Sequence, residues 1–162
     1  MRTMRQATVC RRCRKSLIRA APVDARGSSG KIRIAAHRLP ARACAGGCPG
    51  VYWGEPELGS DLFRALTGGA AWVLPRRLFG RSCPTCHERL WANSRPGRLS
   101  AVIPHPRSPS TLVEIEAPVL DCHFCGVAYL DAMGHVDSIR LALTDLLGNH
   151  LIQVAAGDIA AH

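Results

Sequence analysis

Eight cysteines in 162 residues fall into four short pairs: Cys10/Cys13, Cys44/Cys48, Cys83/Cys86 and Cys122/Cys125. The pairs form two copies of one unit. The second copy reads Pro118, Cys122, Cys125, Tyr129, then Ile139 and Leu143; the first reads Pro40, Cys44, Cys48, Tyr52, then Leu62 and Leu66. Counted from Cys48 and Cys125, the tyrosine falls at +4 and the apolar pair at +14 and +18 in both copies. Leu17 and Leu90 each stand four residues after the second cysteine of the upstream pair. The spacing of the cysteines and of the apolar residues around them is therefore repeated as a set, as a folded unit built twice requires.

Two thiolates separated by two residues can face one tetrahedral ion at about 2.3 Å, and a second pair closes the shell. Four such pairs in register predict two four-cysteine zinc sites, structural because no ligand position stays open. The ligands are Cys10, Cys13, Cys44, Cys48 and Cys83, Cys86, Cys122, Cys125. The extra residue between Cys44 and Cys48 is accommodated by Gly46 and Gly47, which let the backbone bulge. Disulfides need an oxidising compartment, and the first residues show no apolar segment of signal-peptide type. A thioredoxin-type site needs one short motif in a βαβ pattern, not four pairs. The duplicated spacing favours sequential pairing, first with second and third with fourth, over cross-bracing.

The units are residues 1–81 and 82–162, a first four-cysteine zinc-ribbon repeat rich in arginine and a mildly acidic second one. At this size a core alone supplies little net stability, and a structural zinc ion can contribute on the order of 10–16 kcal/mol. No uncharged run approaches the roughly 20 residues of a membrane span, which predicts a soluble, cytoplasmic chain. Residues 1–82 hold 16 Arg and Lys against 4 acids, a net +12; residues 83–162 hold 5 against 8, a net −3, giving the formal +9. Of the 21 cations, 19 are arginine, which suits bidentate contact with phosphate or carboxylate. Codon bias on an ordinary solvated surface, or cations that offset the zinc thiolates, would give the same composition.

Along the chain, five cations crowd the first knuckle and its exit: Arg11, Arg12, Arg14, Lys15 and Arg19. Residues 24–30 have loop composition. The alternation from Lys31 to Ala35 predicts a half-buried strand with Lys31 and Arg33 outward, and Arg38 and Arg42 flank Pro40 on the way to the second knuckle. Val51, Tyr52 and Trp53 read as packing over the metal site. Ser60 and Asp61 offer a cap for a short helix through Leu66, with Gly68 and Gly69 as its stop. The apolar run from Ala70 to Leu74 reads as a strand packing one repeat against the other. In the second unit a Pro-rich loop over 104–109 leads to a strand at 112–116. A helix follows from a capping pair, Asp137 and Ser138, to Leu147, with Gly148 as its stop and 151–154 as a last strand. The expected fold class is small α+β: two tandem zinc ribbons, knuckles on short antiparallel strands, each followed by a short helix.

The order Pro118, Cys122, Cys125, Gly126, Tyr129, with Cys83 and Cys86 upstream and a short helix after, resembles the YgiT-type zinc finger, the N-terminal domain of MqsA-like antitoxins. Residues 10–66 resemble it through Pro40, Cys44, Cys48 and Tyr52, but carry Pro49 where that pattern has glycine. The resemblance implies zinc ligation by the four cysteines of each unit. In that family the zinc domain binds the toxin and a following helix-turn-helix domain binds DNA, and the residues after Leu147 do not supply such a domain.

His87 and His123 adjoin cysteine pairs whose four thiolates already complete each shell. The zinc-deaminase signature, the His-Glu-x-x-His and phosphate-loop motifs and the serine nucleophile elbow are all missing. The chain therefore reads as a non-catalytic, zinc-stabilised binding protein with no small-molecule substrate and no membrane contact. Its Arg-rich unit is expected to dock on nucleic acid or a nucleoprotein assembly through Arg11, Arg12, Arg14, Lys15, Arg33, Arg38 and Arg42. The alternative is a protein–protein adaptor or antitoxin-like binder that does not touch nucleic acid. Eight aromatic residues are too few for a base-stacking platform.

Overall fold

The structure is a computed structural model that describes residues 9–53, 57–74, 82–90, 94–106 and 108–155. The boundary expected after residue 81 lies at the edge of a stretch outside the described residues, as does most of the basic lead-in. The fold is small α+β with two antiparallel sheets.

The smaller sheet runs in the order β1 (Leu17–Arg19), β4 (Ala41–Cys44), β5 (Val51–Trp53) and carries the first two cysteine pairs at its ends. The larger sheet joins hairpin β2 (Val23–Ser29) and β3 (Ile32–Leu39) to hairpin β6 (Ser94–Ile103) and β7 (Thr111–Asp121), in the order β2-β3-β7-β6. β8 (Ala128–Leu130) pairs with the far end of β7. The strand order is outer-inner-inner-outer, because β3 of the first unit pairs antiparallel with β7 of the second, Arg33 opposite Glu116 and Ala35 opposite Glu114.

Alternation decides which side is covered. Ile32, Ile34 and Ala36 on β3 and Val113, Ile115, Ala117 and Val119 on β7 are buried, while Arg33, His37, Glu114 and Glu116 take the other face. Residues 32–35 thus lie in the strand expected there, with Arg33 exposed, while Lys31, also exposed, falls in the turn before it. The cover is α2 (Val136–Ala155), which buries Ile139, Ala142, Leu143, Leu146 and Leu147, a stripe at helical spacing. It lies across β2 and β3, so the second unit's helix shields the first unit's hairpin. Helix α1 (Leu58–Arg64) continues as a π-helical turn, Ala65–Gly69, and contributes Leu58, Leu62 and Leu66 to the same core. All four apolar residues at +14 and +18 from the cysteines are buried.

Several expectations are corrected. Residues 24–30 are not a loop: β2 occupies most of them, with Ala25 and Gly27 facing the core. Gly27 is required for space, since a Cβ there would stand 2.2 Å from the Ala142 carbonyl oxygen and 2.3 Å from the Leu146 nitrogen of α2. Ser60 and Asp61 lie within α1, whose N-cap is Glu57 with no side-chain cap bond. Asp137 and Ser138 lie inside α2; the preceding 3-10 turn, Ala132–His135, starts at Asp131, whose side chain accepts from the Gly134 N–H, while Asp137 pairs with Arg140. Gly148 does not end α2, and residues 151–154 are helical, because Leu146 and Leu147 hold the helix on the core up to that point. The run at 72–74 contributes one parallel bridge, Val73 to Leu130, flanked by Leu130 N–H to Trp72 and Leu74 N–H to Leu130. It does join the first unit's chain to the second unit's β8.

Candidate metal centres

Each cysteine pair sits on a tight backbone turn. In three of the four, the residue after the second cysteine takes a left-handed conformation and donates its N–H to the carbonyl of the first cysteine: Arg14 to Cys10 at 2.9 Å, His87 to Cys83 at 2.9 Å and Gly126 to Cys122 at 2.8 Å, with φ of 61°, 63° and 72°. The return bond closes each loop, as Cys10 N–H to Lys15 at 2.7 Å and Cys83 N–H to Glu88 at 2.7 Å. The fourth pair cannot use this geometry, because the residue after Cys48 is Pro49, which lacks an N–H and has φ fixed near −65°. Gly47 replaces it one step earlier, at φ 75°, donating to the Cys44 carbonyl at 3.0 Å. The additional residue between Cys44 and Cys48 thus accompanies the proline and lets Gly47 make the closing bond.

The turns bring the thiols into two groups, Cys10, Cys13, Cys44, Cys48 and Cys83, Cys86, Cys122, Cys125, with all sulfurs of a group within 4.8 Å of one another. The pairing is sequential. The closest sulfurs are Cys13 and Cys44 at 3.2 Å, Cys86 and Cys122 at 3.4 Å and Cys83 and Cys125 at 3.5 Å, and all eight cysteines are free thiols. A tetrahedral ion with thiolate bonds of about 2.3 Å has ligand edges near 3.8 Å, so both sets fit one ion each without rearrangement of the backbone. Such an ion would carry no open position and would supply a cross-link.

Hydrogen bonds already favour thiolate at some positions. The Cys13 N–H and the Tyr52 hydroxyl hold the Cys10 thiol down at about 6, against its burial. At Cys83 burial pushes upward, but the Tyr129 hydroxyl and the N–H groups of Cys86 and Thr85 bring the thiol to about 5. Cys48 is pushed up to about 12 by the Cys13 thiol, by burial and by the remaining sulfurs of its group. At Cys86 the Glu88 N–H pulls downward, yet burial and the Cys122 and Cys83 sulfurs leave the thiol at about 12. Without a cation the four thiols share negative charge among them; a divalent ion would deprotonate the rest.

Tyr52 and Tyr129 are buried, at 7% and 2% exposure, with their hydroxyls 3.6 Å from Cys10 Sγ and 3.5 Å from Cys83 Sγ. Leu17 and Leu90 complete the two small clusters around the sulfurs. Trp53 turns instead toward the main core and donates to the Leu147 carbonyl at 3.2 Å. Sequence reasoning missed Thr85, whose hydroxyl bonds the Tyr129 hydroxyl at 2.7 Å. Both histidines beside the pairs, His87 and His123, stay exposed and outside the thiol groups.

The seven basic residues singled out above do not form one patch. Arg11, Arg12, Arg14 and Lys15 are exposed together on the first knuckle, and Arg42 lies on β4 directly opposite Arg19 of β1. Residues 9–22 and 40–53, which make up this lobe, contain those six cations and no acid. Arg33 is on the larger sheet, 3.6 Å from Glu116, which Arg98 also holds. Arg38, near the end of β3, has a left-handed φ of 61° and its N–H on Asp24 at 2.9 Å. The larger sheet compensates its charges: His37 lies between Asp24 at 3.1 Å and Glu114 at 3.6 Å, and Arg95 pairs with Asp121. Among the described residues, the densest group of cations without an acid is therefore on the lobe of the first metal centre.

Fold and sites together define a small α+β protein with two four-cysteine centres able to hold metal. Comparison with protein-family models, with curated proteins and with solved structures finds no match. No helix among the described residues is long and apolar enough to cross a membrane.

Proposed function

We propose that this chain is a non-catalytic binding protein whose two centres hold zinc, and that its first metal lobe docks on the phosphate backbone of a nucleic acid. The two units are read as tandem zinc ribbons of the YgiT type, each a hairpin, a cysteine knuckle, a buried tyrosine and a helix in that order. The observation that carries the docking role is the charge of the first lobe: six cations and no acid on residues 9–22 and 40–53, against matched ion pairs on the larger sheet. Among the described residues, Arg11, Arg12, Arg14, Lys15 and Arg42 have no ion pair. Tyr52 is buried and Trp53 half-buried, so the lobe offers phosphate contacts rather than base stacking.

With about four to six phosphate contacts, log K on duplex DNA should fall against log salt with a slope of roughly −3.5 to −5.5. Replacing Arg11, Arg12 and Arg14 by Glu should flatten the slope, whereas Arg95→Ala with Arg98→Ala should leave it unchanged. The metal content of the same preparation should be two ions per chain. Absence of binding at low salt in fully loaded protein would leave the protein-partner reading, in which the same lobe meets an acidic surface.

A further inference from the structure

The two centres have the same four ligands but unequal cover. In the second group Cys83 and Cys122 are buried and Cys86 and Cys125 half-buried. In the first, Cys10 and Cys44 are buried and Cys48 half-buried; taken over the whole residue Cys13 is exposed, alone among the eight, while both groups share the alternation of better and less covered ligands. The loop facing it differs in kind. The second unit places His123 and Phe124 between its last two ligands, while the first has Ala45, Gly46 and Gly47. A Cβ on Gly46 would stand 3.4 Å from both Cys13 Sγ and Cys44 Sγ, and 2.7 Å from Cδ of Lys15. Among the described residues, the flexible stem of Lys15 is the nearest group to that point beside the two sulfurs. Arg11, Arg12, Arg14 and Lys15 stand within two residues of Cys13, so an anionic reagent meets positive charge there, whereas the corresponding ligand Cys86 has Glu88 as the charged residue within two positions.

We infer that Cys13 is a modification site, the point at which thiol-directed, anionic soft electrophiles such as disulfides enter the protein, with Cys44 as its resolving partner. The inference rests on the metal-loaded reading of the first centre. The Cys13 thiolate attacks one sulfur of the incoming disulfide, forming a mixed disulfide and expelling one thiolate. The Cys44 thiolate, its sulfur 3.2 Å away, then attacks Cys13 Sγ and expels the second thiolate. The protein gains one Cys13–Cys44 disulfide, the reagent is reduced to two thiolates, and the metal ion leaves a shell that has lost two of its four donors. Because Arg11 and Arg12 lie between the ligands Cys10 and Cys13, the reaction also dismantles the basic knuckle. Phosphate binding by this lobe would thereby be coupled to its thiol state, and the second centre would be spared.

The test uses the full chain, with metal content measured first, treated with dianionic dithiobis(nitrobenzoate) while a chromogenic chelator follows metal release. Peptide mapping at partial reaction identifies the modified cysteines. The expected result is early release of one ion, a Cys13–Cys44 linkage, and retention of the ion held by Cys83, Cys86, Cys122 and Cys125. Raising the salt concentration should slow the first phase and leave the second unchanged. Gly46→Ala, which sets a methyl group against both sulfurs, should slow the first phase several-fold, with the second phase serving as the internal control for an intact fold. In protein that holds two ions, equal rates at both centres or first attack in the second group would overturn the inference alone. Fewer than two ions at the outset would overturn the metal-loaded reading and this inference with it.

Discussion

Tyr52 and Tyr129 each do two things at once: the ring fills the space over the thiols beside Leu17 or Leu90, and the hydroxyl reaches a cysteine sulfur. Truncating either ring to Ala should destabilise the chain by roughly 3–5 kcal/mol, the range for a large buried aromatic. The hydroxyl can be tested separately with Tyr129→Phe. Cys83 is held at about 5, below its ordinary thiol value, so its thiolate persists until the pH falls through that value. Loss of the hydroxyl raises the thiol, protonation begins at higher pH, and a protonated thiol is no longer a ligand. Acid-induced metal release, followed with a chelator dye, should therefore move to higher pH in Tyr129→Phe. An unchanged midpoint would mean that the N–H groups of Cys86 and Thr85 suffice. The offset of +4 from the cysteine made both tyrosines legible in the sequence, because position within a tight turn is a local property. Thr85 was not legible, since its partner lies 44 residues away.

At the scale of elements, β2 shows how packing overrides local preference. Its sequence of small and polar residues reads as a loop, but β3 supplies its hydrogen-bonded partner and α2 its cover. Gly27 makes that cover possible, since helix backbone occupies the space a side chain would need. Gly27→Ala should cost at least about 1–3 kcal/mol, the overpacking range, because the contact is with backbone that cannot rotate away. Urea unfolding of metal-loaded protein would measure it, and a neutral result would show that α2 can slide along β2. On the edge strand β6, Pro96 and Gly97 likewise conceal a strand that exists because β7 pairs along its whole length. The helices were easier to read, because the apolar residues at +14 and +18 recur in both copies. Their ends were not: Gly148 is compatible with a helix that its neighbours hold against a core.

Considered whole, the molecule is divided in its thiol groups and joined in its core. Each thiol group draws on one repeat only, yet β3 pairs with β7 and the main core mixes Ile34 and Leu62 with Ile115 and Ile139. Residues 1–81 and 82–162 produced separately should therefore bind metal through their own cysteines but fail to fold cooperatively, and should regain protection when mixed. Amide hydrogen exchange on β3 and β7 would decide it; full protection in either half alone would show that the shared sheet is dispensable.

The sequence by itself determined which cysteines group together, which tyrosines and leucines surround them, and where charge accumulates along the chain. Those features depend on contacts within a turn, or on a spacing stated twice. Only the tertiary structure decided that the two hairpins merge, that the second unit's helix covers the first unit's strands, and that Arg33 is answered by Glu116 while the first knuckle's cations stand together. Each of these joins residues far apart in the chain, where no local preference records the partner, and burial of a common apolar face selects it.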